Sequence, residues 1–310
     1  MNAMNKIFKL LIPVVVFLSA NGAAAQKQDG AQDENSRQIT LDRFNKARPA
    51  ETTTKPSARD QRRAALRAAI YRRTGPLRGR VSARIQFEEV GVTVWRLRPS
   101  QSSDTGGRVL VQEGLKQSEW TPERIEADTQ LKIGDRVRLS VESPRTGFLY
   151  IIDREQYADG SLGEPMLIFP TLRTRGGDNR VEPGRLIDIP AQEDQYSYFT
   201  AQPANDRRDQ VAEVLTIILV PQPLPLQIGA QPLKMADSQI AGWDKLWGGA
   251  AERLELVGGA GRIWTMEEKA AGAAMGRQLT QAGPPPQTVY RVARKAGAPL
   301  LVTVPLRYGR

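Results

Sequence analysis

The chain contains no cysteine and no histidine. The first absence removes disulfides, thiolate nucleophiles and cysteine-based zinc sites. The second removes the commonest general base and the triads built around it. What remains for catalysis is carboxylate pairs, serine–lysine dyads, tyrosine or an all-oxygen metal site. Aromatic residues are scarce, at 6%, and long apolar runs are lacking. The N-terminal run Leu10–Ala20 is too short to span a bilayer of about 30 Å as a helix.

That run has another reading. Lys6 and Lys9 precede its end and Ala23-Ala24-Ala25 follows it, the layout of a signal peptide cleaved after Ala25. No cysteine follows the apolar core, which argues against a lipid-modified N-terminus. The expectation is an exported protein, periplasmic or secreted, with no transmembrane segment in the mature chain from Gln26. An exported fold without disulfides relies on packing alone.

The 310 residues are 40% hydrophobic and 25% charged, which suits one or two globular domains with an adequate core. The net charge of +10 is unevenly spread. Lys55–Arg98 holds twelve basic residues, eleven of them arginine, against Asp60, Glu88 and Glu89. The high charge is a property of one stretch.

Composition divides the chain into a signal peptide (1–25), a polar leader with the composition of disorder (26–56), an Arg-rich helix and linker (57–80), a β-sandwich (81–224) and a C-terminal region (225–310). The stretch SARDQRRAALRAAIYRR (Ser57–Arg73) is rich in helix formers, with Ser57 and Asp60 as a cap and Thr74-Gly75-Pro76 as a stop. From Val81 the apolar period changes to two. Val81–Phe87 and Val92–Leu97 read as two strands interrupted by Gly91, and Trp120-Thr121-Pro122 as the start of a connecting segment. Strands are expected at Arg136–Glu142, at Phe148–Ile152 as a central strand, and at Met166–Phe169, Leu186–Ile189, Tyr196–Phe199 and Val211–Val220. The last is an apolar run expected to be buried on both faces. In the C-terminal region Ile240, Trp243, Trp247 and Leu254 fall on one side of a helix that Asp237 or Ser238 caps. Thr265 and Glu268 form a capping-box pattern for a second helix. Thr288–Arg294 and Leu300–Tyr308 read as a hairpin. The fold class is mainly β, a β-sandwich of the immunoglobulin or Greek-key type with a few helices at its N- and C-terminal sides.

Several stretches occur in a telling order: GVTVWRLRPS (Gly91–Ser100), LKIGDRVRLSVES (Leu131–Ser143), GFLYIIDREQYADG (Gly147–Gly160), LIFPT (Leu167–Thr171), DNRVEPGR (Asp178–Arg185) and VAEVLTIILVPQPL (Val211–Leu224). This order resembles the DUF4384 family, a domain of unknown function found in exported and multidomain bacterial proteins. The resemblance covers Leu131–Leu224. It implies a β-sandwich and no established catalytic residues, so no site is carried over.

Two groups of residues are candidates for function. Asp153, Glu155 and Asp159 lie between two apolar runs. Counted as a calcium loop from Asp153, position five is Tyr157 and position six Ala158, where an oxygen ligand and glycine are required. Asp159-Gly160 is a strong turn dipeptide. The acids are therefore expected to form a solvated turn, with a weak cation site as the alternative and paired-carboxylate hydrolysis behind it. The second group is Arg59, Arg62, Arg63, Arg67, Arg72 and Arg73. Their guanidinium forks suit bidentate binding of phosphate or carboxylate, and the opposing reading is a solubilising linker. The five tryptophans are read as core anchors before sugar platforms. GGAGR (Gly258–Arg262) lacks the Lys-Ser/Thr of a phosphate-binding loop and reads as a turn.

The sequence thus points to a non-enzymatic, exported interaction or structural module of the cell envelope. Its partner would be an anionic lipid, an acidic polysaccharide or an envelope protein, with no cofactor and no nucleic acid. The alternative is a carbohydrate-active protein, either a carboxylate-pair hydrolase or a carbohydrate-binding module.

Overall fold

The computed structural model describes residues 43–50, 71–74, 86–113, 115–194, 197–203 and 207–309. In chain order the strands are β1 (Tyr71–Arg73), β2 (Phe87–Pro99), β3 (Val109–Glu113), β4 (Lys116–Ile125), β5 (Arg136–Glu142) and β6 (Gly147–Tyr157). There follow β7 (Met166–Phe169), β8 (Arg180–Val181), β9 (Leu186–Ile189), β10 (Phe199–Thr200), β11 (Gln210–Val220) and β12 (Leu233–Lys234). Helix α1 (Asp237–Trp247), β13 (Glu252–Leu256), helix α2 (Met266–Gly272), β14 (Thr288–Ala293) and β15 (Leu300–Arg307) follow, and a single 3-10 turn, Arg175–Gly177, lies between β7 and β8.

These strands form two antiparallel sheets, as a β-sandwich requires. The smaller sheet runs β12-β7-β6-β11-β15, with β8 beside β6. The larger runs β1-β13-β14-β2-β4-β3, with β5, β9 and β10 joined to it through β2. The alternation of side chains dictates what each face meets. Val90, Val92, Val94, Leu139 and Val141 of the larger sheet pack against Leu149, Ile151, Leu215, Ile217, Val302 and Val304 of the smaller one. The opposite face of the smaller sheet, with Tyr150, Ile152, Ile218 and Val220, is covered by Ile240, Trp243 and Trp247 of α1. β11 is therefore buried on both faces, which its unbroken apolar sequence requires.

Several sequence expectations are corrected. Tyr71–Arg73, assigned to the end of an Arg-rich helix, is strand β1, paired with β13 in the register Tyr71↔Leu256. Its tyrosine ring is buried and donates its hydroxyl to Pro286 O at 2.7 Å, and this packing overrides the helical propensity of the flanking sequence. The alternating run from Val81 lies outside the described residues as far as 85. Gly91 does not interrupt a strand: β2 passes straight through it. A Cβ at Gly91 would lie 2.6 Å from the Pro286 ring and 3.3 Å from the Phe44 ring, so the glycine permits a close crossing. Trp120-Thr121-Pro122 lies inside β4, paired with Pro99, Arg98 and Leu97 of β2.

The C-terminal region is not appended to the sandwich but built into it. Leu254 belongs to β13, because α1 ends at Gly248. Ala236 occupies the N-cap of α1 without a side-chain hydrogen bond, so neither Asp237 nor Ser238 caps it. The Thr265–Glu268 capping box is present. The proposed terminal hairpin is an arch. β14 pairs with β13 and β2 in the larger sheet, while β15 pairs with β11 in the smaller one. The same alternation serves both arrangements, since in each case one face of both strands reaches a common core.

Candidate functional site

The acids of β6 do not share a turn. Across the β6–β11 ladder, Asp153 is paired with Leu215 and Glu155 with Glu213. This register turns Asp153, Glu155 and Glu213 to the same side as Ile151 and Ile217, into the end of the sandwich. There the two sheets part around a cavity of about 110 Å³. Its walls include Asp153, Glu213 and Tyr308 together with Leu131, Val137 and Phe199.

Electrostatics at this end follow from the apolar walls. Burial, then the negative charges of Glu213 and Glu155, push the Asp153 carboxyl up to about 8. Burial also raises Glu213, against the hydrogen bonds it accepts. Gln210 Nε2 donates to Glu213 Oε1 at 2.8 Å and the Tyr308 hydroxyl donates to it at 3.0 Å. Asp153 and Glu213 line the same cavity, and each raises the proton affinity felt by the buried pair as a whole. Burial and the neighbouring Glu213 raise the Tyr308 phenol as well, so it stays a donor. Asp153 Oδ1 has no hydrogen-bond partner among the described residues.

Asp159 stands apart at the tip, where its Oδ1 accepts from Ser161 N at 2.9 Å and Ser161 Oγ at 2.6 Å. These bonds hold its carboxyl below the usual range. The solvated-turn reading fits Asp159 and fails for Asp153 and Glu155, which the strand carries inward. Among the described residues no group of three or more acids is arranged to hold a metal ion.

Arg59, Arg62, Arg63 and Arg67 lie outside the described residues. Arg72 and Arg73 are engaged within the fold. Arg72 Nη2 donates to both Glu126 carboxylate oxygens, at 2.7 and 2.6 Å, and Arg73 pairs with Glu252 at 3.2 Å.

A second set of charges lies on the outer face of the larger sheet, beneath α2 and the segment 258–287. Arg48 grips Glu142 through two bonds of 2.7 Å. Arg138 meets Asp188 at 3.0 Å, and Arg124 pairs with Glu268. Ser140 links Trp95 Nε1 (2.9 Å) to Asp188 Oδ1 (2.6 Å). Each of these buried ions has an opposite charge beside it, as burial demands. Trp95 and Trp264 belong to this layer, with the Arg138 guanidinium 4.4 Å from the Trp264 ring. Trp243 and Trp247 stack on each other at 5.5 Å over the smaller sheet. None of these four forms an open sugar platform. The GGAGR turn places Gly258 and Gly261 at positive φ, as a turn requires.

Glu213, Tyr308 and the Arg48–Glu142 pair escaped the sequence reading. Glu213 had a signal: it is the one acid in a run otherwise fit for burial on both faces. Tyr308 had none, because only the pairing of β15 with β11 brings it to Glu213. In comparison with known proteins, no family model, no curated protein and no solved structure matches the chain.

Proposed function

We propose that this chain is a non-enzymatic interaction module of the cell envelope. It would be exported by its N-terminal segment and attached to an anionic partner through Arg59, Arg62, Arg63 and Arg67. The observation that carries the non-enzymatic reading is the small size of the cavity that Asp153 and Glu213 line. Glycoside hydrolysis needs two carboxyl groups roughly 5–5.5 or 6.5–9.5 Å apart with the sugar between them. A cavity of about 150 Å³ admits a benzene, so one of about 110 Å³ excludes a pyranose ring.

The binding role rests on charge. The stretch Lys55–Arg98 carries nearly all the net positive charge. Of its arginines, Arg72, Arg73 and Arg98 are matched by acids of the fold. Arg59, Arg62, Arg63 and Arg67, grouped at the start of the stretch, are the candidates for an external anion. Motif order supports membership of the DUF4384 family, and the charged n-region with its Ala-x-Ala site supports a periplasmic or secreted location.

Retention of the mature chain on vesicles containing anionic phospholipid tests the reading. Retention should fall as salt rises and should be lost when Arg59, Arg62, Arg63 and Arg67 are all replaced by Gln. Retention indifferent to both changes, or turnover of an oligosaccharide abolished by Asp153→Asn, overturns it.

A further inference from the structure

The loop between β7 and β8 holds a charge without adequate company. The Arg175 side chain is only 7% exposed, and its nearest acid, Asp178, lies 3.7 Å away. Its Nη1 is buried with no hydrogen-bond partner among the described residues. A guanidinium is rarely taken from water without such partners, because the uncompensated cost is several kcal/mol on the order-of-magnitude scale for buried ions. The charge is also opposed locally. Burial and the like charge of Arg185 both weaken the proton affinity of Arg175. Asp188 and Glu193 are near enough to be felt, but both are committed elsewhere: Asp188 to Arg138, Ser140 and Gln192, and Glu193 to Ala274 N.

Arg175, Arg180 and Arg185 line an open cavity of about 370 Å³ and outnumber its two acids, Asp178 and Glu182, with Phe148, Val181 and Pro221 as its apolar lining. Arg175 stands at φ +52°, a left-handed conformation that costs a non-glycine residue about 1 kcal/mol.

We propose that this cavity binds a small organic oxyanion, a carboxylate or a phosphate monoester, with its charged group between Arg175 and Arg185 and its body against Phe148 and Val181. An oxyanion neutralises the repulsion between the two guanidiniums. The volume lies within the range of small-molecule sites. The site does not use the Arg59–Arg67 segment and stands independently of the envelope role.

Calorimetric titration of the full chain at constant ionic strength tests the assignment, with benzoate, phenyl phosphate and neutral benzamide as probes. At least one anion should bind tenfold or more tightly than benzamide, and the better of the two identifies the charged group. Arg175→Gln should weaken that anion at least tenfold while leaving the melting temperature of the free protein unchanged or higher. Arg185→Gln should weaken it as well, and decides the matter if Arg175→Gln does not fold. Replacing Arg59, Arg62, Arg63 and Arg67 by Gln should leave the titration as it was. Equal binding of benzamide and both anions, or anion binding untouched by either cavity variant, overturns the proposal.

Discussion

Asp153 and Glu213 stand diagonally across the β6–β11 ladder and line one cavity at the end of the sandwich, where burial raises both carboxyls. The facing groups that titrate are Glu155 on the same strand and Tyr308 beyond β15. The folded state therefore keeps a proton that the unfolded chain releases at the ordinary aspartate value.

A pH dependence follows with a definite sign. With the folded value at about 8 and the unfolded one near 3.9, the native state holds more protons throughout that interval. Its stabilisation by this group is complete below pH 4 and is lost as pH rises towards 8. The loss is on the order of a few kcal/mol, since one unit is worth about 1.4 kcal/mol. Urea unfolding at pH 5, 7 and 9 measures it. Asp153→Asn should flatten the decline, and an identical slope in the variant would show that Asp153 titrates normally.

The Arg48–Glu142 pair should respond as a buried ion pair. Glu142→Gln leaves an uncompensated guanidinium and should cost about 3–5 kcal/mol. The combined replacement Arg48→Met with Glu142→Leu should cost less than the sum of the single changes. A double-mutant cycle read by urea midpoints decides this, with additivity as the contrary result.

Gly91→Ala tests the crossing of β2 beneath Pro286. The Cβ would fall 2.6 Å from the proline Cγ, so the expected loss is about 1–3 kcal/mol from overpacking. A melting temperature equal to that of the wild type would show that the proline segment yields freely.

Ile217 and Leu110 offer a paired contrast. Ile217 is 1% exposed at the centre of the sandwich and Leu110 is 58% exposed on β3. Ile217→Ala should cost about 2–5 kcal/mol through the cavity it leaves, and Leu110→Ala should remain within about 0.5 kcal/mol. Comparable losses would contradict the assignment of the core to the space between the sheets.

Much of the β architecture was legible because it follows from local alternation. Arg136–Glu142 has period two, Val211–Val220 is apolar but for Glu213 and Thr216, and Thr265–Glu268 has the spacing of a capping box. All three appear as read. The errors arose where one local pattern serves two arrangements. The Tyr71–Arg73 end of a helix-forming stretch pairs with β13 because a buried tyrosine and a free sheet edge outweigh propensity. The arch from β14 to β15 has the alternation of a hairpin, and only the sheet that each strand joins tells them apart. Asp153 was placed beside a turn because Asp159-Gly160 is one, although the strand continues to Tyr157.

The sequence by itself determined the strands with clear alternation, the location of the positive charge and the exclusion of thiol and imidazole chemistry, since these depend on residue type and spacing alone. Tertiary structure decided which charges meet. Glu213 comes to Asp153, Glu142 to Arg48, and Arg175 to Arg185 across separations that no periodicity encodes. The physical reason is that a charge's behaviour depends on its burial and its neighbours, and both are set only when the two sheets close on each other.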